Sequence, residues 1–367
     1  MTTNKTQTFL PNNLLGILGR ISKIIDLGYF REYIGQTTSI HLLVYVAGLI
    51  LCRRNVAMTT ISQVLRLCTH DGLQRMLLGM NLPMRVLSWF FIRWICGNRT
   101  KSGWLIIDDT VIDKKYSKVI DCAGFAYSSS EDRSIMGIHI VVMYWSDGSI
   151  KIPVGFRLWI PKEKARIYKT KVDLAIELLT HNDAFCKTCS YVAFDSWYCS
   201  NRVLRTLALM NLPCISQLKK NRKIVFKGRK TDVSSFRRRF GQVELPGFGS
   251  VLLFRDTSGR SVRYLISTDV NITAGEVKKR YSSRWSIEES FRFMKQNLGL
   301  EGCQCRRNTA VTNHISLIFL AHFVVEILSH DSGLNPYGTS LCIQNEFMGV
   351  KDEFPELKQR RAFVESV

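Results

Sequence analysis

Apolar side chains recur at helical spacing through residues 14–29, 41–51, 60–67 and 73–78, and these stretches predict a run of helices over residues 1–100. Arg53, Arg54, Arg66, Arg75 and Arg85 dot the polar sides of that segment. A small basic helical domain is one way to grip a DNA backbone, and a helical scaffold with a solvated basic rim has the same pattern. From Trp104 the period shortens. Residues 104–109 (WLIIDD) are a short apolar run closing in carboxylates. Residues 137–145 and 149–158 are rich in β-branched and aromatic positions, with Ser146-Asp147-Gly148 as a hairpin turn between them. Residues 168–180 read as an amphipathic helix, 191–195 (YVAFD) as a strand ending in Asp195, 201–210 as a helix and 213–217 as a fifth strand. Three strands followed by helix, strand, helix and strand make an α/β protein with a mixed sheet.

Residues 219–280 break that rhythm. Lys219, Lys220, Arg222 and Lys223 open the segment, and Arg237, Arg238 and Arg239 follow. Strand-like stretches at 249–255 and 261–267 flank the turn Thr257-Ser258-Gly259. Phe226, Phe236, Phe240, Phe248 and Phe254 interleave the charges, as in a small folded β unit with a phosphate-tracking surface. This basic, β-rich insertion is expected to touch DNA. Helical spacing resumes over 275–298, and a long apolar helix is predicted at 314–328. The chain thus divides into an N-terminal helical domain (1–100), a core in two parts (101–218 and 281–330), the insertion (219–280) and a weakly patterned tail (331–367).

Two apolar runs, 41–52 and 315–328, fall short of the roughly 18 residues that span a bilayer, and the second carries His322 and Glu326. Both are expected as buried helices, with no membrane partner. Composition adds one thing. Apolar residues at 46% and charged residues at 22% exclude a disordered chain or a small disulfide scaffold. The charge is unusual: 51 Lys and Arg against 30 Asp and Glu leave +21, which calls for a polyanionic partner, nucleic acid before an anionic membrane surface. Eleven cysteines, an odd number, and a polar opening (MTTNKTQTF) fit free thiols in a reducing cytoplasm. Cys186-x2-Cys189, and more weakly Cys303-x-Cys305, have metal-like spacing, but no clear partner pair completes a four-ligand zinc site, so surface or core thiols are expected.

The candidate chemistry lies in carboxylates. On one helix, Arg284, Glu288 and Lys295 would form a single stripe, with Tyr281 one turn earlier and the apolar stripe Ile287, Phe291, Met294 and Leu298 beside it. Glu288 then borders the buried face and Glu289 points to water. Alone, Arg284 and Glu288 would be an ordinary i,i+4 ion pair on a solvated helix. However, Asp108 and Asp195 each end an apolar run on a strand. Two strand-borne carboxylates and one helix-borne carboxylate could hold two divalent cations about 4 Å apart and clamp an in-line phosphoryl displacement. In a chain of +21 the natural substrate is a nucleic-acid phosphodiester. Asp108 and Asp109 are adjacent and must point to opposite faces, so only one can join Asp195 and Glu288. The Asp-x-Thr spacing to Thr110 favours Asp108, with Asp109 as the alternative. Asp113, Asp121 and Asp132 read as solvated loop acids, and Trp197 as core packing or, second, an active-site wall.

Tyr281-x2-Arg284-x3-Glu288-x6-Lys295 resembles the YREK signature of bacterial insertion-sequence transposases with a DDE catalytic triad. Ile107-Asp108-Asp109-Thr110 is similar to their first acidic motif and Phe194-Asp195-Ser196-Trp197-Tyr198 to their second. The resemblance covers about residues 100–330. It implies an RNase H-like core with a β-rich insertion between the second Asp and the Glu, where residues 219–280 stand. It further implies that Asp108, Asp195 and Glu288 hold two Mg²⁺ or Mn²⁺ ions. Arg284 and Lys295 would contact phosphates near the cut, and Tyr281 would position or stack on the backbone. The implied reaction is water attack at a transposon end, freeing a 3′-OH that then attacks target DNA. The implied partners are double-stranded DNA and a second copy of the chain in a synaptic dimer; the implied location is the nucleoid of a bacterial cytoplasm. A nuclease without strand transfer and a non-catalytic DNA-binding descendant are the alternatives.

Overall fold

The structure, a computed structural model, describes residues 13–52, 56–100, 102–117, 119–128, 133–259 and 261–349. Arg53, Arg54, Asp132 and the end of the tail from residue 350 lie outside the described residues. The first helices are α1 (Leu14–Ile24), α2 (Leu27–Ile34), α3 (Gln36–Leu51), α4 (Met58–Leu65), α5 (His70–Gly79) and α6 (Met84–Asn98). Four strands follow: β1 (Trp104–Asp113), β2 (Gly124–Ser128), β3 (Arg133–Ser146) and β4 (Lys151–Trp159). Then come α7 (Lys171–His181), α8 (Asp183–Cys186), β5 (Val192–Phe194), α9 (Asn201–Leu209) and β6 (Cys214–Leu218). The next strands are β7 (Lys223–Phe226), β8 (Arg229–Asp232), β9 (Phe240–Leu245), β10 (Gly249–Asp256) and β11 (Arg263–Ser267). The chain closes on α10 (Ala274–Ser282), α11 (Trp285–Asn297), α12 (Asn308–Ser332) and α13 (Pro336–Met348).

Two compact units result. One joins Met1–Pro83 and Val119–Asp121 to Phe291–Val367; the other joins Met84–Lys118 to Cys122–Ser290. The helical stretch 1–100 is therefore divided, since α6 groups with the sheet. In the helical unit α12 is the central rod. Every residue from Asn313 to Ile327 is buried, because its surface is apolar all round and α3, α5 and α13 cover it. At 25 residues α12 is longer than the apolar run predicted for it. It is long and apolar enough to cross a membrane, yet 89% of its apolar window is buried within the protein. Its polar groups find partners inside: Asn313 donates to the carbonyls of Leu77 and Met80 (2.9 and 2.8 Å), and Tyr45 Oη meets His314 Nδ1 at 2.9 Å. The weakly patterned tail holds a helix after all. Asn335 caps α13, Pro336 occupies its first turn, and its core face is polar, with Gln344 donating to the Ile50 carbonyl at 2.7 Å.

The other unit is built on one mixed sheet of eleven strands in the order β2-β3-β1-β5-β6-β11-β10-β9-β7-β8, with β4 on the far side of β3. The β1–β5 and β5–β6 pairs are parallel and the rest antiparallel. This mixed α/β arrangement is the fold class expected and is consistent with an RNase H-like core. Two expectations need correction. The insertion is no separate unit: β11 pairs with β6, so β10, β9, β7 and β8 extend the core sheet. Nor does Asp108 end its strand. β1 runs on to Asp113 because its antiparallel ladder with β3 continues to Gly137, while its parallel ladder with β5 stops at Ile107. The Cys186 and Cys189 thiols are buried. Cys186 and Cys189 donate weakly to the carbonyls of Leu179 and Phe185, and burial pushes both up, Cys189 to about 12.

His139 on β3 is fully buried, its ring edge-on to Trp159 at 5.4 Å. Burial first, and then the Lys171 charge, lower its pKa from 6.5 to about 4. The unfolded chain takes up this proton near pH 6.5 and the folded chain only near pH 4. Stability is therefore lost as pH falls through that window, by about 3 kcal/mol from this group. Urea unfolding at both ends of the window is expected to show this loss, and His139→Gln to remove it.

Candidate active site

The β1–β5 register pairs Leu105 with Val192, Ile106 with Ala193 and Ile107 with Phe194. One residue further, Asp108 stands beside Asp195. Strand alternation puts both on the face of Ile106 and Ala193, and Ala193 belongs to the apolar cluster that also holds Ile215, Leu265, Val277 and Tyr281. Asp109 turns to the opposite face. Its Oδ1 accepts from Tyr198 Oη at 2.9 Å and its Oδ2 from Lys171 Nζ at 2.5 Å. The backbone N–H of Asp109 donates to Asp108 Oδ1 at 2.9 Å.

The stretch expected as one helix over 275–298 is two. α10 ends at Ser282, and α11 begins at Trp285. Serines break it: Ser283 Oγ turns back to the Arg280 carbonyl (2.6 Å), and Ser286 Oγ takes the Ser283 carbonyl (2.8 Å). Arg284 sits in this break with a side chain only 14% exposed, and its guanidinium hydrogen-bonds Asp108 Oδ2 with one nitrogen and Glu288 Oε1 with the other, the latter at 2.8 Å. Glu288 borders the buried side while Glu289 is exposed, as the periodicity predicts.

The electrostatics tie the carboxylates together. Burial pushes Asp108 up to about 8; the Arg284 charge pulls it down, and Asp109 and Asp195 push it up again. Burial and then Asp109 raise Asp195, against the amides of Trp197 and Tyr198 and the Arg284 charge. Burial would lower Arg284, but Asp108, Tyr281 and Glu288 outweigh it and hold the guanidinium above its usual range. Tyr198 is raised by burial and by the charges of all three aspartates, of which Asp109 accepts from its hydroxyl at 2.9 Å. Among the described residues, no three His, Cys, Asp or Glu side chains form a group that could hold a metal ion. The Arg284 guanidinium is what joins Asp108 to Glu288.

The other expected site residues fall into place as follows. Tyr281 is 7% exposed in the apolar cluster, its hydroxyl donating to Gln217 Oε1 at 3.3 Å, so its ring packs in the core. Lys295, two turns beyond Glu288 on α11, falls in the helical unit and pairs with Glu301 at 3.2 Å. Lys219, Lys220 and Lys223 are exposed, as are Arg237, Arg238 and Arg239, whereas Arg222 is half-buried against Asn201 Oδ1. Trp197 is exposed on a cavity wall and not packed in the core, the first of its two readings. Asp195 Oδ1 accepts from the amides of Trp197 (2.9 Å) and Tyr198 (3.4 Å), and this turn leaves the indole 52% exposed under Lys219 Nζ, 4.8 Å above the ring. Lys171 is the residue that sequence reasoning missed. Its signal was a lysine in the first turn of a predicted helix, where the helix dipole disfavours a cation. Asp109, Asp195, Lys171, Trp197 and Lys219 line one cavity of about 640 Å³.

The parallel strands β1 and β5 thus carry neighbouring aspartates, and Arg284 ties Glu288 of α11 to Asp108. Residues 99–336 match the family described as archaeal putative transposase ISC1217. That match spans well over half of the chain, which therefore belongs to this DDE transposase family. The family's description is archaeal; the bacterial four-residue signature remains a resemblance of residues 281–295. No curated protein matches the chain.

Proposed function

We propose that the protein is an active transposase that cuts DNA at the ends of its own mobile element and joins the freed ends to a target. The observation that carries this reading is that one guanidinium, Arg284, serves Asp108, Glu288 and, at longer range, Asp195. The donors are all hard carboxylate oxygens, and Asp108 and Asp195 are both raised by burial and by neighbouring carboxylates. Such a set fits Mg²⁺ or Mn²⁺, whose charge would relieve that repulsion. Asp108, Asp195 and Glu288 would hold two ions, which when bound stabilise charge on the attacking and leaving oxygens.

The rest falls to the chain itself. The amides of Trp197 and Tyr198 fix the Asp195 carboxylate, Lys171 and Tyr198 fix Asp109, and Lys219 and the arginines 237–239 hold phosphates. Lys295 also meets a phosphate in this reading. Synapsis of two ends calls for a second copy, acting at the nucleoid, and the basic helical unit would grip further DNA through Arg66 and Arg75. The test is a strand-transfer assay with Mg²⁺ and duplexes carrying the element's termini. Joined products support the reading; cutting without joining would favour a nuclease, and neither would leave a DNA-binding protein.

The two faces of β1 separate the neighbouring aspartates. Asp108→Asn is expected to lose cutting far more than Asp109→Asn, since Asp109 is engaged by Lys171 and Tyr198; the reverse order in single-turnover rates would exchange their roles. DNA affinity is expected to fall steeply with salt. Replacing Arg237, Arg238 and Arg239 by Ala should flatten the log–log slope by about 0.9 for each phosphate that is no longer neutralised. An unchanged slope would remove this surface from the DNA path.

A further inference from the structure

The segment between β4 and α7, residues 160–170, is pinned at both ends. At its start, Pro161 packs where Gly124 has no side chain: a Cβ there would meet the proline ring at 2.1 Å. Lys164 Nζ reaches the Ala123 carbonyl at 2.8 Å, and the amides of Lys164 and Ala165 both bond to the Pro161 carbonyl. At its end, Thr170 and Asp173 form a reciprocal cap on α7, Lys169 pairs with Glu177, and the next residue, Lys171, binds Asp109. Between these anchors the loop presents Ile167, 75% exposed, and Tyr168, 42% exposed. Lys162 and Arg166 are exposed beside them. Tyr168 lines the cavity that Asp109 and Asp195 share.

A pinned loop that holds an isoleucine in water, with Lys162 and Arg166 exposed against one exposed acid, Glu163, and with Tyr168 on the wall of a cavity that sets Lys171, Arg202 and Lys219 beside Asp109 and Asp195, is shaped for a polyanion with an apolar interior. Duplex DNA has both properties. A stiff duplex presents a phosphate to a recessed cavity only by bending, and an apolar side chain inserted at a base step is a known means of kinking it. We propose that the 160–170 loop is a DNA wedge: Ile167 enters a base step next to the phosphate held at the carboxylates. Tyr168 stacks on the opened base, and Lys162 and Arg166 hold the flanking phosphates. This rests on the transposase reading and adds to it the loop that deforms the substrate.

The test uses the full chain with Asp195→Asn, so that DNA stays uncut, and duplexes carrying one terminus of the element with 2-aminopurine at successive single positions. Binding is expected to raise fluorescence about threefold or more at one or two adjacent positions, the signature of local unstacking. Ile167→Ser with Tyr168→Ser should abolish that rise while affinity stays within about threefold, and Ile167→Leu should keep it. A rise that survives the serine pair, or tight binding with no rise at any position, overturns the wedge and leaves the transposase reading standing. Failure to bind these duplexes at all would remove both.

Discussion

Asp195→Asn protein is expected to bind terminal DNA as tightly as the native chain and to cut it about a thousandfold more slowly or worse, a loss of about 4 kcal/mol of transition-state stabilisation. The geometry isolates charge from shape here. The Asp195 carboxylate uses Oδ1 to accept from the amides of Trp197 and Tyr198, and an asparagine carbonyl oxygen does the same. The turn that presents Trp197 under Lys219 is therefore retained, and with it the basic rim. What is lost is the ionisable group of one of two neighbouring carboxyls. Burial and Asp109 already oppose its ionisation, so its removal should leave the fold as stable or slightly more stable. A carboxyl set where burial and a neighbouring charge oppose its ionisation suits a site that supplies positive charge, and the source proposed here is a divalent cation. The measurement pairs single-turnover cleavage with equilibrium binding and a thermal melt. Cutting at the native rate would falsify the carboxylate assignment; lost binding with a lowered melting temperature would mark Asp195 as structural.

How far the site could be read in advance depended on which forces place each residue. Asp195 was legible because a three-residue apolar strand ends at it and nothing else competes. Asp108 was legible as a residue but not in its setting: β1 continues to Asp113 because β3 offers it a long antiparallel partner, and no local pattern reveals a partner's length. Alternation separates Asp108 from Asp109, and their partners differ, Arg284 for the first and Lys171 and Tyr198 for the second, although Asp109 lines the same cavity as Asp195. The helix carrying Glu288 was legible from its apolar stripe, but its break at Ser283 was not. That break depends on serine hydroxyls choosing carbonyls, on a contact of Ser283 Oγ with the Tyr191 hydroxyl at 3.2 Å, and on Arg284 finding two carboxylates. Tyr281 was placed one turn before Arg284 on one continuous helix; the break instead leaves its ring in the core under β6 and β11. Trp197 was expected to pack because large aromatics usually do. It is exposed because the Asp195 turn fixes the backbone before the indole can choose.

Arg284→Gln is expected to destabilise the metal-free protein by about 3 kcal/mol and to make its stability depend on divalent cations. The guanidinium is 14% exposed and lies between Asp108, 13% exposed, and Glu288, 33% exposed. Removing the cation leaves two carboxylates facing each other with little water to screen them, and breaking a mostly buried pair from one side costs more than the pair contributes. The same substitution frees the oxygens that Mg²⁺ or Mn²⁺ would use. An ion that binds the folded chain and not the unfolded one stabilises it by RT ln(1 + [ion]/Kd). The variant should therefore regain several degrees of melting temperature on moving from chelator to millimolar Mn²⁺, and the native protein, whose carboxylates already hold a positive charge, should gain less. Arg284→Lys separates charge from geometry. A single ammonium reaches one carboxylate rather than forking between two, so partial stability with intermediate metal dependence is expected. Equal responses to Mn²⁺ in the native and Gln proteins would mean that Arg284 and the ion do not compete for these oxygens. Asp108 and Glu288 would then be a structural ion-pair network, and the catalytic reading of the glutamate would fall even if that of Asp195 stood.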